Sequence, residues 1–163
     1  MRRTINSLDI ESSGFYGYPI QIGIIKENGA TFESLIKPHD EWLEDLEWDY
    51  NSQTIHNLEK DYVIKNGRDI KIVAKELNDF CNKEDIFVDS VYDVMWLDLL
   101  FEFAETNRTF NIMVLGNVLP EDFMVHWSAI FSIIHKESGL KLHNALSDAI
   151  MNQRTFIRIA KYF

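Results

Sequence analysis

Three short acidic segments lie far apart in a chain of 163 residues. The first is Asp9-Ile10-Glu11, two carboxylates around one apolar residue. In a strand, residues two apart point to the same face. Side-by-side carboxylates repel unless a cation sits between them, and hard oxygen donors suit Mg²⁺ or Mn²⁺. The second is Asp93, just after the apolar run Ile86-Phe87-Val88. The third is His143-Asn144-Ala145-Leu146-Ser147-Asp148, which opens the last helical stretch. Asp148 in a first helical turn is favoured by the helix dipole, and His143 belongs to the loop before it. Each piece alone has a plainer reading. The acid pair is an exposed strand end, Asp93 an N-cap, and His143 a surface or capping residue. Together, in this order and on these elements, they are far more specific.

The elements that must position them follow from periodicity. Thr4–Ile10 reads as a first strand, and Ser12-Ser13-Gly14 with Gly17 is turn chemistry. Tyr18–Lys26 alternates as a second strand, and Thr31–Ile36 returns beside it. Between them Asn28-Gly29 is the favoured type I′ hairpin pair. Residues 38–68 are acidic and aromatic and read as short helical turns and loop, with Trp42, Trp48 and Tyr50 assigned to core packing in preference to a lid or dimer contact. From Asp69, a plausible N-cap, Ile70, Val73, Ala74, Leu77 and Phe80 fall at helical spacing. A strand at 86–88, a helix at 92–104, a strand at 111–115 and helices at 120–136 and 144–162 complete the chain. Phe123, Trp127, Ile130, Phe131 and Ile134 form either core or a dimer face. The order predicts an α/β fold: a mixed five-stranded sheet, three antiparallel strands then parallel ones, flanked by helices. No repeat, linker or low-complexity tract divides residues 1–163, so a single domain is expected.

Composition excludes several classes. With 26 acids against 16 bases the net charge is −10, which leaves no basic stripe for gripping long duplex by its phosphates. An acidic excess remains even after the site acids are set aside. One cysteine, Cys81, excludes an internal disulfide and a multi-thiolate metal site. No run approaches the ~18 apolar residues of a membrane span. Met1-Arg2-Arg3-Thr4 is basic, but Asn6, Asp9 and Glu11 interrupt any signal-type apolar stretch. A cytoplasmic protein is expected.

The residues resemble the DEDDh branch of the DnaQ-like 3′–5′ exonucleases, which have the ribonuclease H-like fold. Asp9-Ile10-Glu11-Ser12-Ser13-Gly14 followed by Gln21-Ile22-Gly23 matches the family's first motif. Asp89-Ser90-Val91-Tyr92-Asp93 matches the second, and His143-Asn144-Ala145-Leu146-Ser147-Asp148-Ala149 matches the third, the most specific. Two departures stand out: Ser12-Ser13 in place of Thr-Thr, and Asp89 where many members carry Asn.

The resemblance implies that Asp9, Glu11, Asp93 and Asp148 hold two divalent ions, Mg²⁺ or Mn²⁺, about 3.5–4 Å apart, with Asp9 bridging them. His143 is then the general base, a role imidazole suits near neutral pH. The implied reaction removes nucleoside 5′-monophosphates from the 3′ end of single-stranded nucleic acid, and the acidic balance favours RNA or short oligonucleotides. Ser12, Ser13, Gly14, Phe15 and Tyr16 would line the pocket for the terminal nucleotide, where an aromatic side chain stacking on a base is worth ~1–3 kcal/mol. For Phe15 and Tyr16 an ordinary turn or core role is an equal alternative. Tyr92 and Trp96 are assigned to the core, and Gln21 either braces the catalytic turn or is a solvated strand residue. His39, His56, His126 and His135 have no ligand spacing and are read as structural or surface residues. A homodimer is a further expectation of the resemblance. The competing readings are a non-catalytic nucleic-acid or protein-binding module that kept the fold, and an unrelated Mg²⁺-dependent phosphohydrolase acting on nucleotides.

Overall fold

A computed structural model describes residues 3–163. Met1 and Arg2, the start of the basic N-terminal segment, lie outside the described residues. The chain opens with an antiparallel meander: β1 (Asn6–Ser12), β2 (Pro19–Ile25) and β3 (Thr31–Leu35). Three short helices follow, α1 (Asp40–Asp45), α2 (Tyr50–His56) and α3 (Lys60–Asn66), then α4 (Ile70–Cys81). Next come β4 (Asp85–Val88), α5 (Val91–Phe103) and β5 (Asn111–Val114). The chain closes with α6 (Leu115–Val118), α7 (Glu121–Met124), α8 (Trp127–Ser138) and α9 (Ala145–Ala160).

The five strands form one sheet in the order β3-β2-β1-β4-β5. β1 pairs antiparallel with β2, while β1–β4 and β4–β5 are parallel. This is the expected mixed α/β sheet. Period-2 alternation divides its two faces. Leu8 and Ile10 of β1 and Ile20, Ile22 and Ile24 of β2 join the larger core with α4 and α5, together with Trp42 and Trp48. Ile5 and Phe87 join a smaller core with Phe123, Phe156 and Ile159 on the other face. The same alternation puts Asp9 and Glu11 on the face that α9 covers.

Local differences from the sequence reading have physical causes. The hairpin is present, but Lys26 N–H donates to the Ala30 carbonyl at 2.8 Å and Gly29 N–H to the Lys26 carbonyl at 3.0 Å. Only Gly29 of the pair has positive φ, at 86°. The connection is therefore a three-residue loop with glycine in the left-handed region, not a two-residue type I′ turn. The helix expected over 120–136 breaks into α7 and α8. Phe123 turns fully into the smaller core against Phe156, and the ladder restarts at His126. Tyr50 is exposed rather than core, whereas Trp42 and Trp48 are buried. Among the described residues no helix is long and apolar enough to cross a membrane.

Candidate active site at the strand ends

The parallel pairing of β1 with β4 covers only Asn6↔Ile86 and Ser7↔Phe87. β1 runs on beyond it, and the N–H groups of its far half need other partners. Asp93 supplies one: its Oδ1 accepts the Ile10 N–H at 3.1 Å. Asp93 sits in the first turn of α5 and is 2 % exposed. It is not the N-cap; Ser90 is, accepting from the Tyr92 N–H at 3.1 Å. The split of cap and acid leaves the Asp93 carboxyl free to face β1.

The third segment is brought in by α9. Asn144 is its N-cap, its side chain accepting from the Ser147 N–H at 3.0 Å. His143 lies in the loop, as read from the sequence, with a left-handed φ of 57°. Its backbone N–H donates to Asp148 Oδ2 at 2.9 Å. Two β2 residues set the depth of this helix. Gly23 faces the backbone of Ala145 and Leu146 so closely that a Cβ there would overlap both. Gln21, buried rather than solvated, accepts the Ala145 N–H through Oε1 at 3.1 Å and donates through Nε2 to Glu33 at 3.0 Å.

These approaches gather the predicted residues around one cavity. It has a volume of about 430 Å³, and its walls include Asp9, Glu11, Asp89, Asp93, His143 and Asp148. Their possible ligand atoms fall into two groups, each within 4.8 Å: Asp9, Asp89 and Asp93 in one, Glu11, His143 and Asp148 in the other. Burial pushes the Asp9 carboxyl well above its ordinary value, and Asp93, Asp89, Glu11 and Asp148 add to the rise in that order. Asp93 is likewise raised by burial and then by Asp89. Burial and Asp148 push Glu11 up to about 7, and burial pushes Asp148 to about 6 despite the His143 N–H. Asp89 is open to solvent on one side and closely surrounded on the others, and burial raises it too. The Asn152 amide approaches closely enough to oppose that rise, without a well-formed hydrogen bond. Asp148 Oδ1 is buried with no partner. Among the described residues, no lysine or arginine lines this cavity. Oxygen donors that raise one another and lack cationic neighbours fit divalent cations.

The pocket residues divide. A second cavity of about 240 Å³ shares Ile10, Glu11, Phe15, Trp96 and His143 with the first and adds Ser12, Gly14 and His56. Ser12 Oγ donates to the Gly14 carbonyl at 2.9 Å, which shapes the turn. Ser13 lines neither cavity; its hydroxyl donates to the Glu47 carbonyl at 3.1 Å and accepts the Tyr18 N–H at 3.0 Å. Phe15 is 65 % exposed and meets Tyr92 edge-on at 5.4 Å. Tyr16, 84 % exposed, lines neither cavity. Tyr92 and Trp96 stack at 5.9 Å and line the first cavity; Trp96 also packs against the larger core, as expected, whereas Tyr92 does not.

His56 is a residue the sequence reading set aside. It is buried, its Nδ1 accepts the Leu58 N–H at 3.0 Å, and its pKa is pushed down to about 4 by burial, His143 and Lys141. It is therefore neutral at physiological pH, and its Nε2 approaches the Ser12 backbone at the second cavity without a well-formed hydrogen bond. No spacing to the acids could have marked it, because α2 reaches the site only through tertiary packing.

The order of strands and the antiparallel meander followed by parallel crossovers are the expected ribonuclease H-like sheet, and the acids gather at the ends of β1 and β4. No family model matches the sequence, and no curated protein matches it. Solved structures do. Escherichia coli exonuclease I in complex with a dA16 oligonucleotide superposes with a TM-score of 0.70 at 14% identity, over 99% of this chain and 43% of that one. A full-length 3′-exonuclease gives a TM-score of 0.70 at 12% identity, over 98% of this chain and 82% of that one. The zinc-bound complex of the E. coli enzyme with single-stranded DNA gives 0.67 at 12% identity, over 99% of this chain and 43% of that one. The chain thus spans less than half the length of the exonuclease I chains it matches. At these identities the likeness is one of fold.

Proposed function

We propose that this chain is a metal-dependent 3′–5′ exonuclease acting on single-stranded nucleic acid, with residues 1–163 as one catalytic domain. The observation that carries the reading is the convergence of Asp9, Glu11, Asp93, Asp148 and His143, from three remote segments, on one cavity that no lysine or arginine lines among the described residues. The solved neighbours are exonucleases, and one was captured on a single-stranded oligonucleotide; both facts support it.

In this reading Asp9, Glu11, Asp93 and Asp148 would hold two divalent ions, Mg²⁺ or Mn²⁺. When bound, these would offset the charge of the phosphodiester and lower the pKa of the attacking water. His143 takes the proton of that water. The loop that holds its backbone to Asp148 keeps the imidazole beside the acids. The P–O3′ bond breaks, the 3′-oxygen leaves with a proton from solvent, and a nucleoside 5′-monophosphate departs. Phe15, Tyr92 and Trp96 provide apolar faces at the cavity wall for the terminal base. Ser12 and Gly14 shape the turn beneath it, while Ser13 acts by bracing that turn. The acidic balance of the whole chain, −10, favours RNA or short oligonucleotides over long duplex.

The test is degradation of matched 5′-labelled single-stranded RNA and DNA with Mn²⁺ or EDTA, beside Asp9→Ala. A ladder shortening from the 3′ end, dependent on metal and absent from the variant, is expected. Intact RNA and DNA in every lane would overturn the reading.

A further inference from the structure

Asp89 is the acid the resemblance does not ask for. It directly follows β4, four residues before Asp93. Its carboxyl shares a 4.8 Å group with Asp9 and Asp93, and that group has no residue in common with Glu11, His143 and Asp148. Three carboxylates this close repel strongly where water is partly excluded. No lysine or arginine of the cavity relieves them.

A separate observation points to a ligand at the same place. Asn152 lies one turn beyond Asp148 on α9, is 1 % exposed, and lines the cavity with Asp89. Its Nδ2 only approaches Asp89 loosely, and its Oδ1 has no hydrogen-bond partner. A buried carbonyl left unmade is costly, and it needs a donor in the cavity.

We propose that Asp9, Asp89 and Asp93 form a tricarboxylate site that holds one divalent cation before substrate arrives, with the Asn152 carbonyl accepting a hydrogen bond from that cation's water. Three protein carboxylates, with water in the remaining positions, suffice to hold a hard cation without a phosphate oxygen, so occupancy does not wait for nucleic acid. The inference rests on the two-cation reading above and assigns one of the two ions to its own set of residues.

Mn²⁺ binding to the intact protein without nucleic acid tests it, followed by electron paramagnetic resonance of free Mn²⁺ and by calorimetry. The wild-type chain is expected to show one tight class of site. Asp89→Asn, nearly isosteric, is expected to weaken it at least tenfold; Asp89→Glu is expected to retain most of it, and Asn152→Leu to weaken it severalfold. Asp89→Ser gives the same reading should the asparagine variant not fold. Affinity in Asp89→Asn equal to wild type, or no Mn²⁺ bound by the wild-type chain, overturns the proposal. Nuclease activity is scored separately. Asp89-dependent binding without any nuclease activity upholds this site and overturns the proposed function; nuclease activity with binding indifferent to Asp89 does the reverse.

Discussion

His143 occupies a backbone conformation that suits Asn or Gly better, and a left-handed non-glycine residue costs on the order of 1 kcal/mol. The N–H bond to Asp148 and the Asn144 cap hold it there. This tethering places an imidazole within ligand distance of Glu11 and Asp148, so base and metal ligand are two separable roles. As a base, His143→Ala should lower kcat by about 10²–10⁴-fold while leaving Mn²⁺ affinity within about threefold of wild type. A parallel fall in Mn²⁺ affinity would make it a ligand instead. The four acids and His143 were legible because strand ends and helix starts leave a pattern along the chain. For Gln21 the bracing role was one of two readings the strand left open, and His56 and Asn152 carried no signal, since their meaning comes from what lies opposite them in space. Tyr92 looked like core because helical spacing cannot separate a cavity wall from a core face, and Trp96 serves as both.

At the scale of elements, the site depends on how closely α9 lies on β2. Gly23 is the contact that permits it: the α9 backbone at Ala145 and Leu146 occupies the space a side chain would need. Gln21 then ties the first turn of the helix to the same strand. Gly23→Ala is therefore expected to push the start of α9 outward, costing about 1–3 kcal/mol and moving Asp148 away from Glu11. The thermal midpoint should fall by several degrees, and Mn²⁺ affinity should fall with it. A surface alanine on α4, such as Lys75→Ala, should do neither. A Gly23→Ala variant with wild-type melting and binding would show that the helix can shift without disturbing the acids. The meander and crossovers were readable because alternation fixes which strand residues face α9. The break at Val125–His126 was not, because Phe123 is drawn into a core that Ile5, Phe87, Phe156 and Ile159 build from remote parts of the chain.

At the scale of the whole molecule, the cavity stores charge that the fold alone does not neutralise. The folded state raises Glu11 to about 7 and Asp148 to about 6, and Asp9 and Asp93 rise well above their ordinary range. In the unfolded chain the same groups lose their protons near their ordinary values of 4.5 for Glu and 3.8 for Asp. Between those limits the folded state binds more protons than the unfolded state, so stability falls as pH rises. The contribution is fully present below about pH 4 and is lost as pH passes through 6 to 7. A divalent cation acts in the opposite sense, because it binds only the ionised, folded acids. In EDTA the thermal midpoint should therefore drop by several degrees between roughly pH 5 and pH 7.5. Millimolar Mg²⁺ should restore most of the loss at the higher pH and change little at the lower, where protons already occupy the site. A flat profile in EDTA would mean that the acids do not share one poorly solvated cavity. A loss that Mg²⁺ leaves unrepaired would mean that they share it without holding a cation.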